Sequence, residues 1–562
     1  MNNSSYKKKQ SLYISIDFGN YKSGYAYSFA DNKKKIFFGK MQDIPSVIIL
    51  NRENLTAKNY GWKSLYSMDN YNEKEQSQII FVNNLKLNLY NKRINHTIKE
   101  KYIISIEYYK KKSVSEYLRL ISDDILEEIN SLNKNKEENY SKNEVNWILS
   151  VPNIWDDFSK LNLLECGKEA GMTNIDLVIE PEAASLTFLE DSFIDSKFKQ
   201  KGNVFMIIDF GEYICDITIN EIIDDSLNIK KISYPLGNTF GSMNINNDIM
   251  DKIESVLGND TIAKAKENQY KEYLQTLEDI ESIKKKFKGD ETNYFEIYAK
   301  FKRDSKKFQK KTKNFINWLT WGLFFKNDDK NNNNITFDDY KVYFPGLLIK
   351  EIIEKRVNEA INFVKKVKNK YNITYIILTG GYSNCKILVN EFKKKLNNTL
   401  ISVLMNQEKS ITKGAILYTF NKNKIQSRIS HHKYEMEIFD VINFDDETCN
   451  EKITENNIKY CKKMETLIEK GEEIFYDQPF RRIITPIKSI DSININFYRA
   501  NNNEKKGIYF GTLEINLSEF YVKEKKDIKL EMSIDFNTYF NINVSDLENN
   551  KKIKWKFHPK KI

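Results

Sequence analysis

One short phrase occurs twice in this chain: IDFGNY at residues 16–21 and IDFGEY at 208–213. Each copy closes an apolar run, Leu12-Tyr13-Ile14 in the first and Val204-Phe205-Met206-Ile207 in the second. After each turn the chain resumes as a further strand-like segment, Tyr25-Ala26-Tyr27 and Ile217-Thr218-Ile219. Both copies therefore read as hairpins with an acid at the end of the first strand. They lie too far apart for a solenoid, whose period is a few tens of residues, and suit a duplicated pair of lobes. At 562 residues the chain also exceeds what a single hydrophobic core organises, so two or three packed units are expected.

The remaining pattern alternates strand and helix. Ser113 and Glu116 read as a capping box ahead of the apolar positions Tyr117, Leu118, Ile121, Ile125 and Ile129, with a polar loop over 133–144. Trp147-Ile148-Leu149 with Val151-Pro152 predicts a buried strand, followed by a helix over 158–170 that stops at Gly171. After the second hairpin come a charged helical region over 246–286, a low-complexity loop over 327–334, a helix over 347–368, a strand over 375–378, the Gly380-Gly381 turn and a helix over 387–396. From about Tyr434 the apolar period changes to two, as in Ile493-Asn494-Ile495-Asn496-Phe497 and Leu530-Glu531-Met532-Ser533-Ile534, which predicts a small all-β sandwich.

Composition narrows the function classes. The net charge of +10 is spread over Lys-rich stretches such as 7–9 and 110–112 that lack interleaved aromatics, so no nucleic-acid partner is expected. Five widely spaced cysteines (Cys166, Cys215, Cys385, Cys449, Cys461) form no CxxC pair, which disfavours a disulfide framework and a zinc knuckle. The four histidines (His96, His431, His432, His558) sit beside no nucleophile, and His431-His432 reads as exposed. Residues 1–10 are polar and basic and no long apolar run occurs, so a cytoplasmic address and no membrane contact are expected.

The chemistry resides in the hairpins. Two acids at matching strand ends, facing one another across a cleft, suit the water shell of a Mg²⁺ bound to phosphates, because Mg²⁺ keeps several waters and needs few direct carboxylates. Asp17 and Asp209 are the candidates, and the neighbouring Gly19 and Gly211 would let backbone N–H groups approach phosphate oxygens. Taken alone, one such hairpin is equally an ordinary Asp-Gly turn.

IDFGNYKSGYAYS, VPNIW, IEPEAAS at 179–185, IDFGEYICDIT and LTGGYSN at 378–384 together resemble the five signature segments of the heat shock 70 kDa nucleotide-binding domain, in order. SGYAYSF and EPEAAS resemble the divergent type-12 branch, and the strands near 528–544 are similar to the family's substrate-binding sandwich. The resemblance implies an α/β fold: a two-lobed, actin-like (ribonuclease H-like) nucleotide-binding domain over 1–425, a basic linker over 426–432 and a lidless β-sandwich over 433–562. It implies ATP or ADP with Mg²⁺ as ligands. Asp17, Glu180 and Asp209 would organise the metal through water, Lys86 in FVNNLKL would reach the terminal phosphate, and Asp216 matches a second acidic position. Asn20, Tyr21, Gly211 and Gly241 would face phosphate, Glu281 and Lys284 would flank adenine and ribose, and Gly380, Gly381 and Ser383 would close over the nucleoside. Without the family, Lys86 reads as a surface lysine and Glu281–Lys284 as a helix-surface ion pair.

Departures bear on mechanism. Glu212, Tyr213 and Ile214 stand where the family has two glycines and a threonine, placing a carboxylate, side-chain bulk and one hydroxyl fewer beside the phosphates, with Lys22 placed to offset Glu212. The family's acidic-leucine linker is replaced by basic residues, which implies different interdomain wiring. The expected function is an ATP-binding, chaperone-like protein with slow hydrolysis that engages a client polypeptide or regulatory protein, with a nucleotide-exchange or J-domain co-chaperone. The alternatives are a pseudo-ATPase scaffold or regulatory interaction protein that binds nucleotide without turnover or not at all, a small-molecule kinase on the same fold and an RNA-binding protein.

Overall fold

The computed structural model describes most of residues 11–559. It leaves out 34, 42, 68–70, 91–105, 133–138, 259, 290–293, 300–334, 338–340, 442–451, 456–457, 485–491, 501–506, 518–528, 548–551 and 554. The low-complexity run 327–334, part of the loop 133–144 and the basic residues 7–9 thus lie outside the described residues.

Both echoed phrases form hairpins. Leu12–Phe18 pairs antiparallel with Lys22–Phe29, setting Asp17 opposite Gly24, and Val204–Phe210 pairs with Cys215–Ile222, setting Asp209 opposite Asp216. Each first strand then accepts a parallel partner on its other edge, Val145–Val151 in one lobe and Tyr375–Thr379 in the other, and each of these a second, Asn174–Ile179 and Leu400–Val403. The order hairpin, parallel strand, parallel strand is therefore the same in both sheets. These strands are near-continuous apolar runs because both faces are covered. Ile14, Ile16 and Phe18 pack under the helix Ile106–Leu132, and Met206, Ile208 and Phe210 under the helices Met243–Leu257 and Gly346–Lys368.

Between the two sheets lies a helix pair, Glu180–Glu190 and Ser410–Phe420, sharing a core with Ile148 and Val178 of one sheet and Phe205, Ile207 and Ile377 of the other. The pair touches backbone to backbone at Gly414, where a β-carbon would fall 1.8 Å from the Ala183 carbonyl oxygen. That contact places Glu180, the first residue of its helix, at the floor of the groove between the lobes.

Two local expectations are corrected. Ser113 and Glu116 lie well inside a helix that starts at Ile106, so they form no capping box: Ser113 donates to the Lys110 carbonyl, and Glu116 accepts from Lys112, Arg119 and the Ala57 amide. The charged region after the second hairpin is three helices, Met243–Leu257, Thr261–Asn268 and Tyr270–Lys286.

The C-terminal part is a β-sandwich. One sheet runs Lys452–Glu455, Ile458–Ile468, Lys433–Val441, Ser492–Ala500, Ile508–Asn516, Trp555–Pro559; the other runs Phe480–Ile484, Leu530–Asp535, Asn541–Asp546. Their inward residues, Met436, Phe497, Phe510, Leu513, Met532, Ile534 and Ile542 among them, are buried as the period of two requires. Residues 426–432, expected as a basic linker, are only partly in solvent: Gln426 and His431 are exposed, while Ser427, Arg428 and Ser430 are buried. Ile425–Ile429 is a strand of the second lobe's sheet, parallel to Ile229–Lys231 and antiparallel to Glu473–Phe475. Arg428 is 3% exposed and makes a forked ion pair with Glu182 at 2.8–3.2 Å while also donating to Asn537 of the sandwich. Lys231 joins the same carboxylate at 3.3 Å, Lys160 donates to the Thr538 carbonyl at 2.9 Å, and Tyr434 donates to Asp157 at 2.6 Å. Desolvation alone would carry the linker's arginine into an unfavourable site; the paired carboxylate is what makes its burial tolerable. Among the described residues no helix is long and apolar enough to cross a membrane.

Candidate functional site

The groove between the lobes is a cleft of about 590 Å³. Its walls carry Asp17, Gly19, Asn20 and Tyr21 from the first hairpin, Asp209, Gly211 and Asp216 from the second, Lys86, Glu180, Glu281, Lys284, Gly380 and Gly381. Fragments from six separate parts of the sequence thus converge. Lys86, which resembles a surface lysine in its Lys/Asn-rich context, is 4% exposed and pairs with Glu180. The short helix Leu85–Leu89 brings it there, entered through Asn84 in a left-handed conformation (φ 53°).

Four carboxyl groups meet this one ammonium. Asp17 accepts from Ser150 at 2.7 Å, and Asp216 accepts from the Asn153 amide. Burial raises the Asp17 carboxyl, with Lys86 and Ser150 pulling the other way. Burial likewise raises Glu180 against the pull of Lys86, with Asp17 adding to the rise. Asp209 is lifted well above the carboxylate range by burial and by Glu180, Asp17 and Asp216 around it. Asp216 is pushed up to about 8 by burial and by Glu180. Such a cluster is short of positive charge, and Asp216 Oδ1 is buried with no hydrogen-bond partner among the described residues. Both features fit a cation arriving from outside, since a nearby positive charge restores the ionised form. Among the described residues no three His, Cys, Asp or Glu side chains converge closely enough to hold a metal ion directly.

The glycines act at different points. Gly380 has φ +83°, and a β-carbon there would fall 2.3 Å from Asp209 Oδ1, so the turn can press against the acid only as glycine. Gly381 has open space on that side. A β-carbon on Gly19 would meet the Lys22 carbonyl at 2.2 Å, so this glycine is required by the hairpin turn itself. Gly241 and Ser383 stand behind the cleft wall. The Gly241 site abuts the Glu212 and Tyr213 backbone, and the Ser383 hydroxyl donates to the Gly380 carbonyl at 2.6 Å, fixing the turn.

On the second lobe's side, Glu281 accepts from Lys284 at 2.5 Å and from Asn246 at 2.8 Å. The charged groups acting on Glu212 are Glu281 and Lys284, not Lys22, whose ammonium lies over the Tyr21 and Trp62 rings. The Tyr213 hydroxyl reaches across the groove to donate to Asn84 at 2.9 Å, tying the second hairpin to the loop that carries Lys86. Sequence reasoning missed Ser150, Asn153, Trp62 and Tyr382 as parts of the site. Ser150 precedes the VPNIW segment and Asn153 is its third residue, and the parallel pairing delivers that strand end beside Asp17.

Two matched sheets whose hairpin acids share one cleft define an actin-like, two-lobed fold with a β-sandwich attached. The family model described as Hsp70 protein matches residues 83–326. Heat shock 70 kDa protein 12A of Mus musculus is 18% identical over 605 aligned residues, covering 90% of this chain and 85% of that protein. The Homo sapiens 12A protein is 19% identical, covering 96% and 90%, and Homo sapiens 12B is 18% identical, covering 73% and 68%. The chain is thus similar to heat shock 70 kDa proteins, and among them to the divergent type-12 branch. Crystal structures of MreB5 of Spiroplasma citri, one bound to ADP and one to AMPPNP, superpose with TM-scores of 0.46 and 0.45 at 12% identity, each covering 74% of this chain and 98% of its own.

Proposed function

We propose that this protein binds ATP or ADP with Mg²⁺ in the cleft, hydrolyses ATP slowly, and engages a polypeptide partner through its β-sandwich. The observation that carries the reading is the meeting of Asp17, Glu180, Asp209 and Asp216 around Lys86 at the floor of a cleft between two equivalent lobes. Asp17, Glu180 and Asp209 would hold Mg²⁺ through its waters, which suits a group of carboxyls that do not close into a direct ligand cage. When bound, the ion neutralises charge on the phosphate oxygens. Lys86 would supply a fixed positive charge for the terminal phosphate, and Asp209, returned to its ionised form by the arriving cation, would be the proton acceptor for a water attacking the terminal phosphorus. Tyr213 and the Glu212 carboxyl, which line the cleft at the second hairpin turn, would slow turnover by crowding the phosphates. The resemblance to heat shock 70 kDa proteins and the two-sheet C-terminal domain support a chaperone-like or regulatory partner role.

A thermal-shift series with ATP, ADP and AMP, with and without Mg²⁺, tests this. ATP and ADP with Mg²⁺ at about a hundred times their Kd are expected to stabilise the protein by about 2.7 kcal/mol, with AMP giving less. Identical melting curves across all nucleotides would contradict it.

A further inference from the structure

Glu212 stands where the second hairpin turns, on the cleft wall. Its backbone is locked: the Gly211 and Glu212 carbonyls accept from the Ser242 and Met243 amides at 3.2 and 2.8 Å, and the Gly241 α-carbon packs against the Glu212 carbonyl. The side chain therefore cannot be withdrawn by a shift of the turn. Its Oε2 is buried and has no hydrogen-bond partner among the described residues. A cation in position to satisfy it, Lys284, is committed elsewhere, donating to Glu281 Oε1 at 2.5 Å and to the Ser242 carbonyl at 3.3 Å. The other titratable groups acting on it are Glu281 and, from the same helix, Tyr273.

A carboxyl with one oxygen buried and unpartnered is costlier as an anion than as an acid, and an acid offers one O–H donor. Phosphate oxygens are acceptors only, so a carboxylate would repel them and a carboxylic acid would donate to them. We propose that Glu212 is a further nucleotide-contacting residue that donates to the phosphate chain as a neutral carboxylic acid, so that binding nucleotide takes up a proton. This rests on the nucleotide-binding reading above. Glu212 alone binds one proton from solvent for each nucleotide bound above the pH at which its free carboxyl ionises, and none below it, while Asp209 and Asp216 release protons as the arriving cation ionises them, so the Glu212 share is the difference between wild type and Glu212→Gln. Burial and the Glu281 charge put that transition at about pH 8. The sign follows: affinity is full below about pH 8 and falls as pH rises through it, by up to about tenfold per pH unit.

The test is titration calorimetry of ADP, and of adenosine, at saturating Mg²⁺ between pH 7.5 and 9.5, in buffers of different ionisation enthalpy. ADP is already fully ionised in this range, so its own protons do not contribute. Wild type is expected to take up more protons than Glu212→Gln, by a fraction that rises with pH, with ADP affinity falling accordingly. Glu212→Gln, which keeps the shape and a donor, is expected to remove most of that slope, and adenosine binding is expected to lack it. An unchanged slope in Glu212→Gln, equal proton exchange by wild type and Glu212→Gln, or an equal slope with adenosine would each overturn the assignment. Absence of ADP binding by wild type at every pH would instead overturn the nucleotide reading, and this proposal with it.

Discussion

Lys86→Ala is expected to slow single-turnover ATP hydrolysis by about a hundredfold or more, the scale on which preorganised charge at a transferring phosphoryl group acts. The lysine is held by its pair with Glu180 and is within electrostatic reach of all four cleft carboxyls, so its loss removes the fixed cation from the site. Asp209→Asn should give a comparable loss. The reverse change is informative: replacing Glu212, Tyr213 and Ile214 with Gly, Gly and Thr opens the second turn, breaks the Tyr213 to Asn84 bridge, and is expected to raise the rate. Labelled-phosphate release from pre-bound ATP measures all three. Equal rates in wild type and Lys86→Ala would mean that the cleft performs no phosphoryl chemistry.

The second large effect concerns the domain junction. Glu182→Ala leaves Arg428 and Lys231 buried without their shared carboxylate, and unfolding in urea is expected to show a loss of about 3–5 kcal/mol. Replacing Glu182 and Arg428 together by apolar residues of similar volume should cost less than either single change, because no lone charge remains. Acid should act in the same sense. Burial raises the Glu182 carboxyl, but Arg428 and Lys231 outweigh it and hold the group below its ordinary value. Its contribution is therefore present above the unfolded pKa of about 4.5 and is lost as pH falls through the lower folded value. A loss below about 1 kcal/mol in Glu182→Ala would show that the junction is held by other contacts.

The echo of Ile16–Tyr21 in Ile208–Tyr213 was enough to read two lobes and two facing acids, because hairpin, turn and acid are local features. The duplicated sheet order follows from strands whose apolar runs are visible in the same way. Lys86 was legible only through its place among the family segments. Nothing near it in sequence distinguishes it from a solvated lysine, and its partner Glu180 is 94 positions away. Arg428 failed to show itself for the same reason: a basic residue before a period-two region looks like linker, and Glu182 is 246 positions distant. The false capping box at Ser113 and Glu116 arose because Ser and Glu three apart occur inside helices too, and here the apolar face begins earlier than the pattern implies. In Glu212 the residue was visible as a departure, but its lack of a partner depends on how Lys284 is already committed, which is a tertiary fact.

In the proposed function, Asp17 and Asp209 share one nucleotide site at the floor of the cleft. Calorimetric titration of ATP·Mg²⁺ into wild type and Asp17→Ala at equal concentration measures this directly. One site per chain in wild type, with affinity reduced tenfold or more in the variant, is the predicted result; no heat of binding in wild type, or the same isotherm from both proteins, would contradict it.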